Sequence, residues 1–546
     1  MSQILILIFF YFLILYSILG YGRIFTLINS NYQASTFDGL LGIALLILIS
    51  YSTNLFFPHN YLHNSLIIIF GLVIFIYDFK LNFSKRVKDY RDLTIIFSII
   101  FIGLLMYKNH DDFYYYHFPY TIILTNFEKI FGLGNLNHGF RTPSSIFYLN
   151  SLFYLPGIKY FFLNAGAAYI LGFSNFIIYK NIKELILKRN FNIIFFLSLL
   201  SLIYINTTFS RIAEHGTDRS ALILIFLLSI YYLKSLDFNN LKKNKLEHIN
   251  EYYSKLVILF ALIISLKTFY LIYSIIFLLW FYQNKKILNL KLIKNLIIKN
   301  YYSYLIILIF FYTLFTVFSN TGCLIYPASF TCFENLSWSI PINQVEQMYL
   351  WYEQWSKAGA SPNFRVDNPE LYVSGFNWVK NWIDIYFFNK VSDNILVIIT
   401  ISLVVFFLFV YKAKKQSINV YKYKFFYFLI IILFLEWFYN HPSLRYGGYT
   451  ILALIFFIPI SKYMSGYKFN NLTIKKKINF IFALTILIFV SRNLVRIDKE
   501  IHQYSYKPMN QSFFYLNKNG FILNDEVEKK YKLWKNNNKS FLIINK

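Results

Sequence analysis

Long apolar runs alternate with short basic loops along this chain. Runs such as Ile4–Leu19, Gly39–Phe57 and Asn394–Tyr411 continue for roughly 16–20 residues with almost no charge, the length that crosses a hydrocarbon core about 30 Å thick. Read in order, the pattern predicts spans at 3–20, 39–57, 61–79, 93–107, 161–179, 193–206, 220–233, 256–266, 269–282, 302–318, 394–411, 424–439, 446–460 and 478–491. The expected fold is an all-α polytopic membrane protein with about 12–14 transmembrane helices. The first run, MSQILILIFF onward, has no basic flank and no small-residue cleavage site, so it reads as a retained helix.

The polar positions sort by side. Loops 80–92, 180–192, 234–255, 283–300, 412–424 and 461–477 together hold 29 Lys and Arg, whereas 206–219 and 440–445 hold three. Excess Lys and Arg marks the cytoplasmic face, so the first set is predicted inside, and 108–160, the cysteine-bearing loop and the tail outside. Residues 256–282 lie between two basic loops and must therefore form a hairpin, with Lys267 at its tip and each arm shorter than a standard span. Five regions follow: N-terminal helices over 1–92, a membrane core over 93–318 with its outer loop 108–160, a loop domain over 319–393, further membrane helices over 394–491, and a tail over 492–546.

Composition supports this picture. Of 546 residues, 57% are hydrophobic and 14% charged, too little charge for a soluble protein of this size. The net charge of +27 is spread over loops rather than gathered on one soluble domain, which argues against a nucleic-acid partner. The two cysteines, Cys323 and Cys332, share the longest outer loop and are expected to pair. In the same loop, residues 342–358 read as an amphipathic helix. Two roles fit it, a helix resting on the membrane interface by its aromatics or a lid over a site.

Candidate chemistry concentrates in KNHDDFYYYHFPYTIILTNFEKIFGLGNLNHGFRTPSSIFYLNSLFYLPG, residues 108–157. Asp111 and Asp112 stand at the exit of a span, where a carboxylate can act as general base or simply be solvated. Neighbours on a helix point about 100° apart, so at most one of the two faces a given substrate. Tyr115 and His117 follow. The polar turn LNHGFRTPSS carries His138 and Arg141, and a guanidinium fork suits phosphate oxygens. Other outer-side clusters hold Arg211, Glu214, His215, Asp218 and Arg219 in FSRIAEHGTDR, then Lys267, then Glu436, His441 and Arg445. Glu436 lies in an apolar run and is expected to pair with Arg445 or His441. Acids and cations on one face are what a lipid-linked anion needs.

The segment Asp111–Pro156 is similar to the first-loop acidic motif of the GT-C superfamily of integral membrane glycosyltransferases, whose members include protein mannosyltransferases and the lipid A aminoarabinose transferase. Arg445 in HPSLRYGGYTILALIFFIP resembles their late Arg-Tyr…Pro element. The likeness covers the layout of about residues 90–460, with more spans ahead of the acidic loop than that family usually has. It implies inverting transfer of a sugar from a polyprenyl-phosphate donor to an unidentified acceptor on the outer face of a bacterial inner membrane. Asp111 or Asp112 would be the base, and His138, Arg141, Lys267 and Arg445 would hold donor phosphate. Tyr115, His117, Arg211, His215, Arg219, Glu436 and His441 would support them. Some members use a divalent metal, and two adjacent acids with no third ligand in sequence reach leave that open. A polymerase or ligase of envelope polysaccharide is a second reading. A lipid or polysaccharide transporter is a third, although such proteins place ionisable groups near the midplane and show repeats.

Overall fold

The computed structural model describes the chain except for residues 1–2, 25–35, 238–244, 361–365, 412–413, 416–422, 470, 511–512, 536–540 and 546. Lys242, Lys243, Lys412 and Lys422 of the basic loops thus lie outside the described residues. The fold is all-α apart from one two-residue strand pair, Lys414–Lys415 against Tyr467–Lys468. Among the described residues, seven helices are long and apolar enough to cross a membrane. Asp38–Asn54, Ile193–Thr208, Thr268–Gln283 and Gly448–Met464 are shorter apolar helices beside them. This architecture is compatible with a polytopic membrane protein.

The run Tyr61–Leu104 is helical throughout, including residues 80–92, where a loop between two spans was expected. It cannot be straight. Phe75 and Tyr90 would stand about 22 Å apart along a straight helix axis, yet their ring centroids are 5.8 Å apart. Arg23 bonds both Asp78 and Tyr90, each at 2.7 Å. The run therefore folds back on itself while keeping helical geometry, and its two arms flank Gln3–Gly22. Gly20 and Gly71 let one arm lie close, because a Cβ on Gly20 would collide with the Gly71 carbonyl.

Contacts sort the connections to two ends of the bundle. At the basic end Arg23 meets Asp38 and Asp78, Lys180 meets Asp89, Lys234 meets Glu184, and Tyr232 bonds Gln283. At the other end Asn54 bonds the Phe127 carbonyl, Asp218 meets Lys267, and Trp382 bonds the Pro442 carbonyl. The tail packs at this second end as well, through Asn126–Asn524 at 2.9 Å and Ile544 N–H to the Phe131 carbonyl at 2.9 Å.

The hairpin around Lys267 is present, but its first arm is longer than expected. Helix Lys245–Leu266 has 22 residues, because its polar opening turns stay helical while Lys255 lies over the Tyr252 ring and pairs with Glu251. Its return arm begins as a tight turn, Thr268–Ser274, before Ile275–Gln283. Cys323 and Cys332 are joined as a disulfide. The loop stretch 108–157 supplies two short buried helices, Phe118–Asn126 with Pro119 in its first turn and Ser145–Ser151 capped by Ser144. These lie within the second end, where Ser144 donates to the Leu266 carbonyl next to Lys267 at 2.6 Å.

Candidate active site

Four charged side chains from four separate parts of the sequence meet at the second end. Arg445 Nε donates to Asp218 Oδ2 at 2.8 Å, and its Nη2 reaches Asp112 Oδ2 at 3.4 Å. Lys267 donates to the other Asp218 oxygen. Two acids and two cations balance, and both cations share one carboxylate. The Asp112 side chain is 30% exposed and Arg445 35%, whereas Asp218 is 7% exposed. The cluster thus has a buried anchor and an open rim.

Local structure puts each group there. Arg445 occupies a three-residue turn, Leu444–Tyr446, between helices Lys424–Asn440 and Gly448–Met464. Gly447 makes the reversal with φ +112°, a conformation that side-chain-bearing residues resist. Tyr270 donates to the Arg445 carbonyl at 3.1 Å and fixes that turn to the hairpin. Lys267 follows the last turn of Lys245–Leu266 in extended backbone, where it can reach sideways. Asp218 opens helix Asp218–Ser235, and negative charge is favoured at a helix N-terminus. Asp112 precedes a wide π-helical turn, Phe113–His117, a geometry often found at functional sites. Its backbone N–H donates to His110 Nδ1 at 3.1 Å.

Aromatic rings line the cluster. Lys267 lies 4.7 Å from the Tyr446 ring centroid and Arg445 5.6 Å from that of Trp355. Each cation rests on a ring face, a favourable contact in a partly dry site. Burial raises the Asp218 carboxyl, but Lys267 and Arg445 outweigh it and hold the group well below the usual carboxylate range. Burial lowers His117 to about 4 despite Asp112 and Asp218 nearby, so the imidazole is neutral. Its Nε2 is buried without a hydrogen-bond partner among the described residues.

The remaining sequence candidates fall elsewhere. Asp111 points to water with its side chain 91% exposed and pairs with Lys108 at 3.6 Å. Adjacent positions on a turn diverge, and Asp112 is the one directed inward. Arg141 is buried with its donors already used by the Gly134 carbonyl (3.0 Å), Tyr326 hydroxyl (3.3 Å) and Gln344 (3.3 Å), so it fastens the loop. His138 shares its turn and is exposed. Tyr115 faces outward. Arg211 and Arg219 both pair with Glu214, at 2.6 and 2.8 Å, and His215 Nε2 meets the Phe209 carbonyl at 2.7 Å. Glu436 meets Asn440 at 3.2 Å, one turn along its own helix, instead of Arg445 or His441. His441 stands 3.4 Å from Ser356 of the Ile342–Lys357 helix. That helix brings Trp355 over Arg445, so it covers the site, and we term it the cover helix. The Trp355 and Tyr446 rings were not among the site candidates of the sequence, and the anchoring role of Asp218 was not assigned there. Asp218 was visible only as one acid in the mixed cluster FSRIAEHGTDR.

Residues 3–452 match the family described as Domain of unknown function (DUF8201), and the chain belongs to it. No curated protein and no solved structure matches the chain.

Proposed function

We propose that this DUF8201 family member is a multi-pass membrane glycosyltransferase of the GT-C kind. In this reading its helices cross a bacterial inner membrane with the basic end in the cytoplasm and the four-charge site on the periplasmic side. The observation that carries the reading is the contact between Asp112 and Arg445, which lie 333 residues apart. These are the two positions at which the acidic first-loop motif and the late Arg-Tyr element resemble that superfamily.

The chemistry follows from the charges. A donor phosphate approaching Arg445 competes with Asp112 for the guanidinium, because that link is long and half open whereas the link to Asp218 is short and buried. Asp112 is then released as a free carboxylate beside the acceptor. It takes the proton of the acceptor hydroxyl as that oxygen forms its bond to the anomeric carbon. The anomeric carbon–oxygen bond to phosphate breaks, the electron pair leaves with the phosphate, and configuration inverts. Lys267 and Arg445 meet the growing negative charge without having to reorganise, since Asp218 fixes both. Neutral His117 can offer its unpartnered nitrogen to a hydroxyl.

A divalent metal does not fit this donor set. Both carboxylates already face Arg445 or Lys267, and among the described residues no three His, Cys, Asp or Glu side chains gather as ligands. No step is therefore routed through one.

The test is transfer of labelled sugar from polyprenyl-phosphate donors in membranes containing wild-type or variant protein at matched expression. Asp112→Asn should lower transfer by roughly 10²–10⁴-fold, the range for a positioned acid–base group. Asp111→Asn should stay near wild type. Full transfer by Asp112→Asn would remove the base and the reading with it.

A further inference from the structure

A groove of about 260 Å³ runs between the second arm of Tyr61–Leu104 and helix Asn471–Tyr504, apart from the four-charge site. Its floor carries Asn175 of helix Gly166–Leu187 and Asn206 of helix Ile193–Thr208, whose side-chain amides answer each other at 2.8 and 2.9 Å. In its wall Thr485 donates to the Ile481 carbonyl at 2.8 Å. These groups spend their hydrogen bonds inside the protein, so the groove offers a ligand a mainly apolar lining. Ile95 and Ile486 line it from opposite walls yet are 51% and 41% exposed. The groove is therefore open along its side to whatever surrounds the helices.

The two walls are pinned together at the second end. The Phe489 ring lies against Gly103, Arg496 donates to the Leu105 carbonyl at 2.7 Å, and Glu500 accepts from the Tyr107 N–H at 2.9 Å. From Ile100 the groove runs down to Asp92 at the basic end. That is about 12 Å of helix, close to half of a hydrocarbon core about 30 Å thick. Cations gather at this lower mouth. Arg91, Lys180 and Lys183 face Asp92 at 3.6, 3.5 and 3.2 Å, and Lys180 also pairs with Asp89. Three cations thus share two carboxylates, which leaves one positive charge over. The Lys183 side chain is 40% exposed and that of Arg91 66%, and Lys183 also donates to the hydroxyl of the groove-lining Tyr179 at 3.4 Å.

We infer that this groove holds one acyl chain of an anionic phospholipid, with the lipid phosphate against Lys183 and Arg91. An apolar slot one leaflet deep, closed at the second end and carrying a surplus cation at the basic end, complements a hydrocarbon chain with a single negative charge at its head. A zwitterionic lipid brings its own cation to that mouth and gains nothing from the surplus. A free phosphate meets the cations but leaves the apolar slot unused. In the proposed orientation the mouth faces the cytoplasmic leaflet. The site requires a bilayer around these helices and owes nothing to the sugar-transfer chemistry.

The experiment titrates the full chain in detergent with phosphatidylglycerol or phosphatidylcholine of matched chains and counts retained lipid by native mass spectrometry. Wild type should retain one phosphatidylglycerol at concentrations where phosphatidylcholine is lost, and excess inorganic phosphate should not displace it. Lys183→Gln and Arg91→Gln should each weaken that retention roughly fivefold, the worth of one cation at a lipid surface. Lys188→Gln, which removes a basic-end cation paired instead with Glu184, should leave it unchanged. Ile99→Trp fills the groove and should abolish retention with all the cations in place. Should that variant fail to elute as a single species, Ile99→Phe narrows the groove less severely and should weaken retention. Equal retention of the two lipids by wild type would mean ordinary lipid contact and would overturn the proposal. So would displacement by inorganic phosphate, an equal loss in Lys188→Gln, or a preference that survives either the pair Lys183→Gln and Arg91→Gln together or a folded groove-filling variant.

Discussion

Two networks of two acids and two cations stand at opposite ends of the bundle, and they differ in what they leave open. At the basic end Arg23 and Arg86 share Asp38 and Asp78, with separations of 2.7 to 3.5 Å. There Arg23 is 4% exposed and Asp78 1%. This network ties Gln3–Gly22, Asp38–Asn54 and the reversed Tyr61–Leu104 helix into one unit. The site network has the same charge balance, but only Asp218 is sealed, and Asp112 and Arg445 keep about a third of their surface. A closed network can only hold helices together. An open one has a cation able to exchange a carboxylate for a phosphate. Equal composition thus goes with opposite exposure, and on the proposed function that difference in burial separates a tie from a binding site.

Mutation of each network should expose that contrast. The largest effect is expected from Asp78→Ala, which takes from Arg23 and Arg86 the carboxylate they share and leaves Asp38 alone between two cations in a dry interior. Removing one partner of a buried pair costs about 3–5 kcal/mol, so the protein should lose most of its folded yield by fluorescence-detected size exclusion. A well-folded Asp78→Ala protein would mean that the basic-end network is no more structural than the site. Arg445→Lys should act the other way. It keeps the charge but loses the fork that spans Asp112 and Asp218, so transfer should fall by roughly 10–100-fold, the worth of one or two charge-assisted hydrogen bonds, while the melting temperature changes little. A drop in melting temperature as large as that of Asp78→Ala would erase the distinction.

The smallest effect is in pH. Burial lowers His117, His215 and His441 each to about 4 from 6.5. The folded state thus favours the neutral rings, and their contribution is fully present above about pH 6.5 and lost as pH falls toward 4. The melting temperature should decline through that window and then flatten with respect to these groups. His215→Gln, which can still donate to the Phe209 carbonyl, should show a shallower decline. A slope identical to wild type would mean that burial in the fold does not shift His215.

Much of the fold was legible because hydrophobic length and loop charge act locally. The hairpin tip at Lys267 followed from two basic loops flanking one apolar stretch. The helical reversal over residues 80–92 was not legible, since Lys and Asp on successive turns suit both a basic loop and a solvated helix. At the site, the divergence of adjacent side chains required that only one of Asp111 and Asp112 face inward, but nothing local chose Asp112. The anchoring by Asp218 was hidden for the opposite reason. Its role is set by Lys267 and Arg445, 49 and 227 residues away, and no window of sequence holds all three. Glu436 illustrates the same limit. An acid in an apolar run needs a partner, and a nearby amide, Asn440, satisfied it before a distant cation could.

The separation between Asp112 and Arg445 also has a biosynthetic side. At about 5–20 residues per second, the ribosome makes Arg445 roughly 20–70 s after Asp112, whereas Lys267 follows Asp218 within about 2–10 s. The buried carboxylate can therefore be neutralised early by its near neighbour, once helices Asp218–Ser235 and Lys245–Leu266 have been made. The outer carboxylate waits for a turn made 333 residues later. A chain truncated before Arg445 carries Asp112 without its guanidinium partner, so the four-charge cluster is completed in one late step.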